Sequence, residues 1–131
     1  MRVHHLGIAV ESLRTACPVF ERLLGKAADF EETVEDQRVR VAVFQLGEVR
    51  LELLEPTSLE SPVARFLAKR GQGIHHLTLA VRNLPETLKR LERDGIGLID
   101  QEPRMGAGNE RIAFLHPLST AGVLIELVEE L

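Results

Sequence analysis

Tryptophan and tyrosine are absent from this 131-residue chain, and five phenylalanines are its only aromatic residues. The core must therefore be aliphatic, and a ligand pocket has little with which to stack a flat ring. The one cysteine, Cys17, has no partner for an internal disulfide. That suits a reducing compartment, and Cys17 itself reads as a small buried apolar residue. No block of Lys and Arg is dense enough to track a phosphate backbone. The 16 basic and 20 acidic residues are spread along the chain for a net charge of −4, which argues against nucleic acid as a partner. No apolar run approaches the ~20 residues that a membrane helix requires. The first residues, MRVHHLGIAV, lack the charged-then-apolar layout of a signal peptide. The expectation is a cytoplasmic protein with no membrane partner.

What is present is a repeat. HHLGIAVESL at 4–13 returns as HHLTLAVRNL at 75–84, an offset of 71 residues, and the strand-like VRLELLEP at 49–56 is answered by VLIELVEE at 123–130. A duplicated unit of about half the chain follows. In each copy the first run alternates and then meets a helix signal, with Ser12 or Asn83 as cap and Gly25 or Gly95 as stop. Pro18 interrupts the first of these helices and predicts a kink or a late start. Short β-rich runs follow at 27–34, 38–46 and 48–55, then at 97–102, 110–116 and 122–129. Between the copies, SPVARFLAKRG reads as a helix begun by Ser61-Pro62, ended by Gly71, and amphipathic through Val63, Phe66 and Leu67. The 44% hydrophobic content is ordinary for a single domain. We therefore expect one α+β domain over 1–131: module one at 1–56, a linker helix at 61–70 and module two at 74–131. The two tandem βαβββ modules would form a curved mixed sheet around a metal site.

Strand parity selects the ligands. Residues two apart share a face, so His5 lies with Gly7 and Ala9, and His76 with Thr78 and Ala80. His4 and His75 fall among the large apolar residues, on the face that a helix must cover. His5 and His76 then look toward a face that small side chains leave open. Glu52 and Glu126, each between apolar neighbours, occupy matching positions in the closing strands. Two imidazoles and two carboxylates suit a divalent transition metal and leave positions for water or substrate.

These features resemble the vicinal-oxygen-chelate superfamily. The stretches LELLEPTSLESPVARFLAKRGQGIHHLTLAV and EPRMGAGNERIAFLHPLSTAGVLIELVEE are similar, more closely, to the methylmalonyl-CoA epimerase family within it. The resemblance implies the glyoxalase fold, a homodimer, an acyl-CoA substrate, and epimerisation of methylmalonyl-CoA by removal and return of its α-proton. Metal would be held by His5, Glu52, His76 and Glu126. Cobalt is the first expectation, and nickel, manganese or zinc would also serve because no redox change is needed. Glu126 matches the family's candidate base. Some members carry a second glutamate where this chain has Val41, and Gln where it has Glu52, so Glu52 is expected to serve as the second base while also binding metal.

Arg38 and Asn109 stand where relatives often have glycine, and Leu118 where many have lysine. The loop 103–111 would close over substrate, with backbone amides or Arg104 and Arg111 facing its acidic groups. Two other readings use the same scaffold: a glyoxalase I-like isomerase of a glutathione hemithioacetal, and a metal-free small-molecule binding protein.

Overall fold

The computed structural model describes all 131 residues. The chain forms β1 (Arg2–Ala9), α1 (Leu13–Leu24), β2 (Phe30–Val34), β3 (Val39–Leu46), β4 (Val49–Pro56), α2 (Pro62–Arg70), β5 (Gly73–Val81), α3 (Leu84–Arg93), β6 (Arg104–Met105), β7 (Arg111–Phe114) and β8 (Ile125–Glu129). It packs as two compact units, one of His5–His75 and one of Met1–His4 with His76–Leu131. No helix is long and apolar enough to cross a membrane.

In the first unit the strand order is β2-β3-β4-β1. The β1–β4 pair is parallel and the β3–β4 and β2–β3 pairs are antiparallel. One face carries Val10, Ala42, Phe44 and Leu53, which pack with Leu13 and Cys17 of α1. The other carries Ala9, Val39, Val41, Val43 and Leu54. This second face is not left open along its whole length, contrary to the expectation from its small residues. Val63 of α2 fills it, and Phe66 and Leu67 pack beside Val63. The linker helix thus supplies the apolar volume that Gly7 and Ala9 do not.

The second unit repeats the plan as β5-β8-β7-β6, again with a parallel first pair and antiparallel neighbours. Val81, Ala113, Leu115 and Leu127 cluster with Leu84 and Leu88 of α3. Ala80, Ile112 and Val128, with Phe114 beside them, make a smaller cluster on the other face.

Three local expectations need correction. No strand forms at 97–102. The backbone N–H groups of Ile99 and Asp100 both donate to the Phe114 carbonyl, and the Asp100 side chain accepts from the Phe114 N–H at 2.8 Å. A short side chain that takes the ladder hydrogen bond displaces the strand, and pairing resumes only at Arg104–Met105, beyond Pro103. Pro18 neither delays nor divides α1, which runs unbroken from Leu13. Arg14, whose carbonyl loses its N–H partner, is exposed, as is Pro18, so water can satisfy that oxygen. Finally, Asn83 caps α3 through Glu86 N–H, but Ser12 makes no side-chain cap. There the first N–H of the helix, from Leu13, donates to Glu55 Oε1 at 2.7 Å. Leu84 N–H likewise donates to Glu129 at 2.9 Å. A carboxylate at a helix N-terminus meets both a free donor and the positive end of the dipole.

Ser61 is fully buried; its hydroxyl accepts from Val63 N–H and donates to the Gln37 carbonyl, tying α2 to the turn before β3. Ser61→Ala should lower unfolding stability by about 1–2 kcal/mol, measured by chemical denaturation, and Ser61→Thr should recover part of that loss.

Candidate metal centre

In the first unit, Gly7 of β1 lies opposite Glu52 of β4. His5, two residues before Gly7, therefore projects from the same face as Glu52. Its Nε2 is 3.5 Å from Glu52 Oε1. His5 is buried and Glu52 half-buried. The flanking Leu51 and Leu53 turn toward α1, and Val43, opposite Glu52 on β3, is buried.

The second unit builds the same pair in the same register. Thr78 of β5 lies opposite Glu126 of β8, and His76 Nε2 is 3.9 Å from Glu126 Oε1. One difference matters chemically. Thr78, at the position of Gly7 in the repeat, donates its hydroxyl to Glu126 Oε1 at 2.6 Å. Thr78 is fully buried and Glu126 is nearly so. Burial pushes the Glu126 carboxyl up to about 7; the Thr78 hydrogen bond and the charge of Arg104 act in the other direction, while Glu110 and Asp100 add to the rise.

These spacings fit a shared ion. Two donor atoms each about 2.0–2.2 Å from one metal lie roughly 3–4 Å apart, which is the interval found in both pairs. His5, His76 and Glu126 are all buried, and the imidazole–carboxylate pair within each unit offers donors to a divalent metal ion. The donors are borderline nitrogen and hard oxygen, suited to a first-row divalent ion. His75 belongs elsewhere, as parity predicts: its ring meets Phe66 of α2 edge-on with centroids 5.1 Å apart, and burial holds its pKa below the ordinary value.

The two loop arginines have different partners. Arg111 pairs with Glu129 at 3.1 Å. Arg104 stacks over the Phe114 ring, and Phe114 lies opposite Glu126. Thr78 is the member of this constellation that the choice of ligands passed over. Its signal was present as the one polar departure from HHLGIAV in the second copy.

The sequence matches the Glyoxalase/Bleomycin resistance protein/Dioxygenase superfamily over residues 4–114. It is 48% identical over 128 residues to the protein YqjC of Bacillus subtilis, covering 98% of this chain and 91% of that one. It is 33% identical to the mitochondrial methylmalonyl-CoA epimerase of Homo sapiens, covering 96% of this chain and 72% of the relative. Among solved structures, the methylmalonyl-CoA epimerase of Streptomyces coelicolor in complex with 2-nitronate-propionyl-CoA superposes with a TM-score of 0.92 at 34% identity, covering 99% of this chain and 94% of that one. The α+β arrangement of paired βαβββ modules is thus the vicinal-oxygen-chelate fold, and the chain belongs to the glyoxalase/dioxygenase superfamily.

Proposed function

We propose that this protein epimerises methylmalonyl-CoA by a metal-assisted transfer of the α-proton. The observation that carries the reading is the buried Glu126, tied at one oxygen to Thr78 and set beside His76, in a chain that matches such epimerases along nearly its whole length. His5, His76, Glu126 and Glu52 are the proposed ligands. A divalent ion held there would supply Lewis-acid polarisation of the thioester oxygen.

The chain's own residues then have separable tasks. Thr78 occupies one oxygen of Glu126 and fixes the carboxylate in one orientation. A base must lie within hydrogen-bond reach of the proton that it takes, and we assign that role to Glu126. Inversion most simply needs a second base for the opposite face of the α-carbon. Val41 offers no group for this, being packed among Ala9, Val39, Val43, Leu54 and Val63. That leaves Glu52, whose side chain is 14% exposed, as the proposed partner.

Wild-type protein should exchange the α-proton of methylmalonyl-CoA in D₂O, followed by NMR, and EDTA should abolish the exchange. Glu126→Gln should slow it by at least ~100-fold. Glu52→Gln should retain metal but lose exchange from one epimer preferentially; equal rates for the two epimers would remove Glu52 from that role. His5→Ala and His76→Ala should each lose bound metal, read by elemental analysis. Turnover of a glutathione hemithioacetal in place of methylmalonyl-CoA would instead support the isomerase reading, and purified protein without metal would support the binding-protein reading.

The raised pKa of Glu126 gives a test that needs no substrate. Its folded value of about 7 lies above the ordinary 4.5, so the folded state holds this proton more tightly than the unfolded chain. The metal-free protein should lose stability as pH rises from 4.5 through 7, by roughly 3 kcal/mol in all, since each pKa unit is about 1.36 kcal/mol. In EDTA-treated protein, Glu126→Gln should accordingly be more stable than wild type at pH 8 and differ by under about 1 kcal/mol near pH 5. Denaturation curves across that range check it, and added divalent metal should reverse the order at pH 8.

A further inference from the structure

We propose that Asp100 is a positioning residue: it fixes Phe114 as a wall beside Glu126 and so keeps that carboxylate in the orientation from which it takes the α-proton. The inference rests on the reading of Glu126 as a base and deepens it.

Strand register builds the wall. Thr78 of β5 lies opposite Glu126 of β8, and Glu126 opposite Phe114 of β7. Directly opposed residues project to the same face with Cβ atoms about 5 Å apart, so the Glu126 side chain stands between a hydroxyl and an aromatic ring. The hydroxyl holds Oε1 at 2.6 Å. On the other side the ring limits how far the carboxylate can swing, as long as the ring itself stays in place. Phe114 is half-buried beside the small cluster of Ala80, Ile112 and Val128, so packing supplies only part of its restraint.

Asp100 supplies more, and through both of its oxygens. Oδ2 accepts the Phe114 N–H at 2.8 Å, while the N–H groups of Ile99 and Asp100 donate to the Phe114 carbonyl. The main chain of Phe114 is therefore pinned at both of its polar atoms. Oδ1 lies 3.3 Å from Arg104 Nε, and the guanidinium carbon of Arg104 sits 5.3 Å from the centroid of the Phe114 ring, within reach of a cation–π contact. Asp100 thus holds the backbone directly and the ring through Arg104. Its side chain is only 18% exposed, which sets it apart from a solvated surface charge.

The repeat shows that this arrangement is particular to the second unit. At the repeat offset of 71 residues, Asp100 corresponds to Asp29 and Phe114 to Val43, and the Asp29 N–H likewise donates to the Val43 carbonyl. The Asp29 side chain, however, accepts from Gln45 N–H at 2.7 Å and pairs with Lys26 at 2.9 Å. Neither contact involves Val43, the residue opposite Glu52. In the second unit Gly97 stands at the position of Lys26, and Asp100 turns instead to the Phe114 N–H and to Arg104. One aspartate anchors a strand start; its counterpart is directed at the neighbour of the glutamate.

The test compares α-proton exchange of methylmalonyl-CoA by wild type, Asp100→Asn and Asp100→Ala, with kcat and KM taken separately. Elemental analysis matches their metal content, and melting curves show which variants are folded at the assay temperature. Asp100→Ala should lower kcat by about tenfold or more and leave KM within about twofold, as expected when a reacting group is misplaced but binding is kept. Asp100→Asn keeps an oxygen for the Phe114 N–H and loses the ion pair with Arg104, so its kcat should lie between the two, about threefold below wild type. Were Asp100→Ala not to fold, the Asp100→Asn value alone would decide. A lower melting temperature with kcat unchanged would make Asp100 a structural residue only and overturn the proposal, as would a rise in KM with kcat unchanged. No exchange by wild type would overturn the epimerase reading and this role with it; normal exchange by wild type and by both variants would overturn the role alone.

Discussion

A carboxylate buried beside an imidazole, at a parallel strand pair, is the constraint around which this protein is built. Taking an ionised carboxylate out of water costs several kcal/mol unless it is hydrogen-bonded or meets a cation. Glu126 is buried all the same. Register makes the burial possible: with Thr78 opposite Glu126, the hydroxyl reaches one oxygen, and His76 comes from the same strand face. The apolar residues on either side of Glu126 commit the opposite face to α3. A one-residue slip of β8 would turn Leu127 toward Thr78 and Glu126 into the aliphatic cluster, so the hydrophobic core itself holds the site in register.

The duplication was not left symmetric, and the departures lie where chemistry would need them. Along the row through the glutamate, Gly7-Glu52-Val43 in the first unit corresponds to Thr78-Glu126-Phe114 in the second. In the next row Glu32 opposes Val41 where Arg104 opposes Ile112. In the first unit the row through the glutamate therefore has glycine and valine on either side of it. The second adds a donor, an aromatic platform and a cation. The same fold thus carries two glutamates in unlike settings. The filling of the first unit's inner face by Val63 of α2 has no counterpart within the second unit's smaller cluster.

Much of this was legible in the sequence, for identifiable reasons. The repeat exposed the modules, and the two-residue period of strands separated His5 from His4 and His76 from His75. The linker helix was readable because Ser61, Pro62 and Gly71 carry start and stop chemistry in their side chains and backbone freedom. The strand at 97–102 was misplaced because periodicity registers apolar residues such as Leu98 and Ile99, whereas the outcome turned on Asp100 capturing a ladder N–H. Glu55 and Glu129 escaped notice as helix anchors because their partners are 42 and 45 residues distant, and local cap rules search only a few positions. Thr78 was visible, but only as a small side chain; its value depends on the strand pairing that brings Glu126 opposite.

Arg38 and Asn109 show how non-glycine residues can be accommodated in turns by backbone geometry. Both hold left-handed conformations, with φ of 53° and 60°, where glycine is free of strain and asparagine is tolerated better than arginine. The cost at Arg38 is met locally. Its N–H closes the turn on Glu35, its carbonyl accepts from Thr57, and its guanidinium pairs with Glu60. Arg38 therefore links the turn before β3 to the segment that leads into α2, the helix whose Val63 covers Val41. Val41 and Arg38 act on one structural feature: Val41 packs in the cluster that Val63 covers, and Arg38 ties the turn beside it to the start of α2. A face closed in that way has no place for an ionised group at Val41, and Glu52 lies one row along, at the edge of the same cluster.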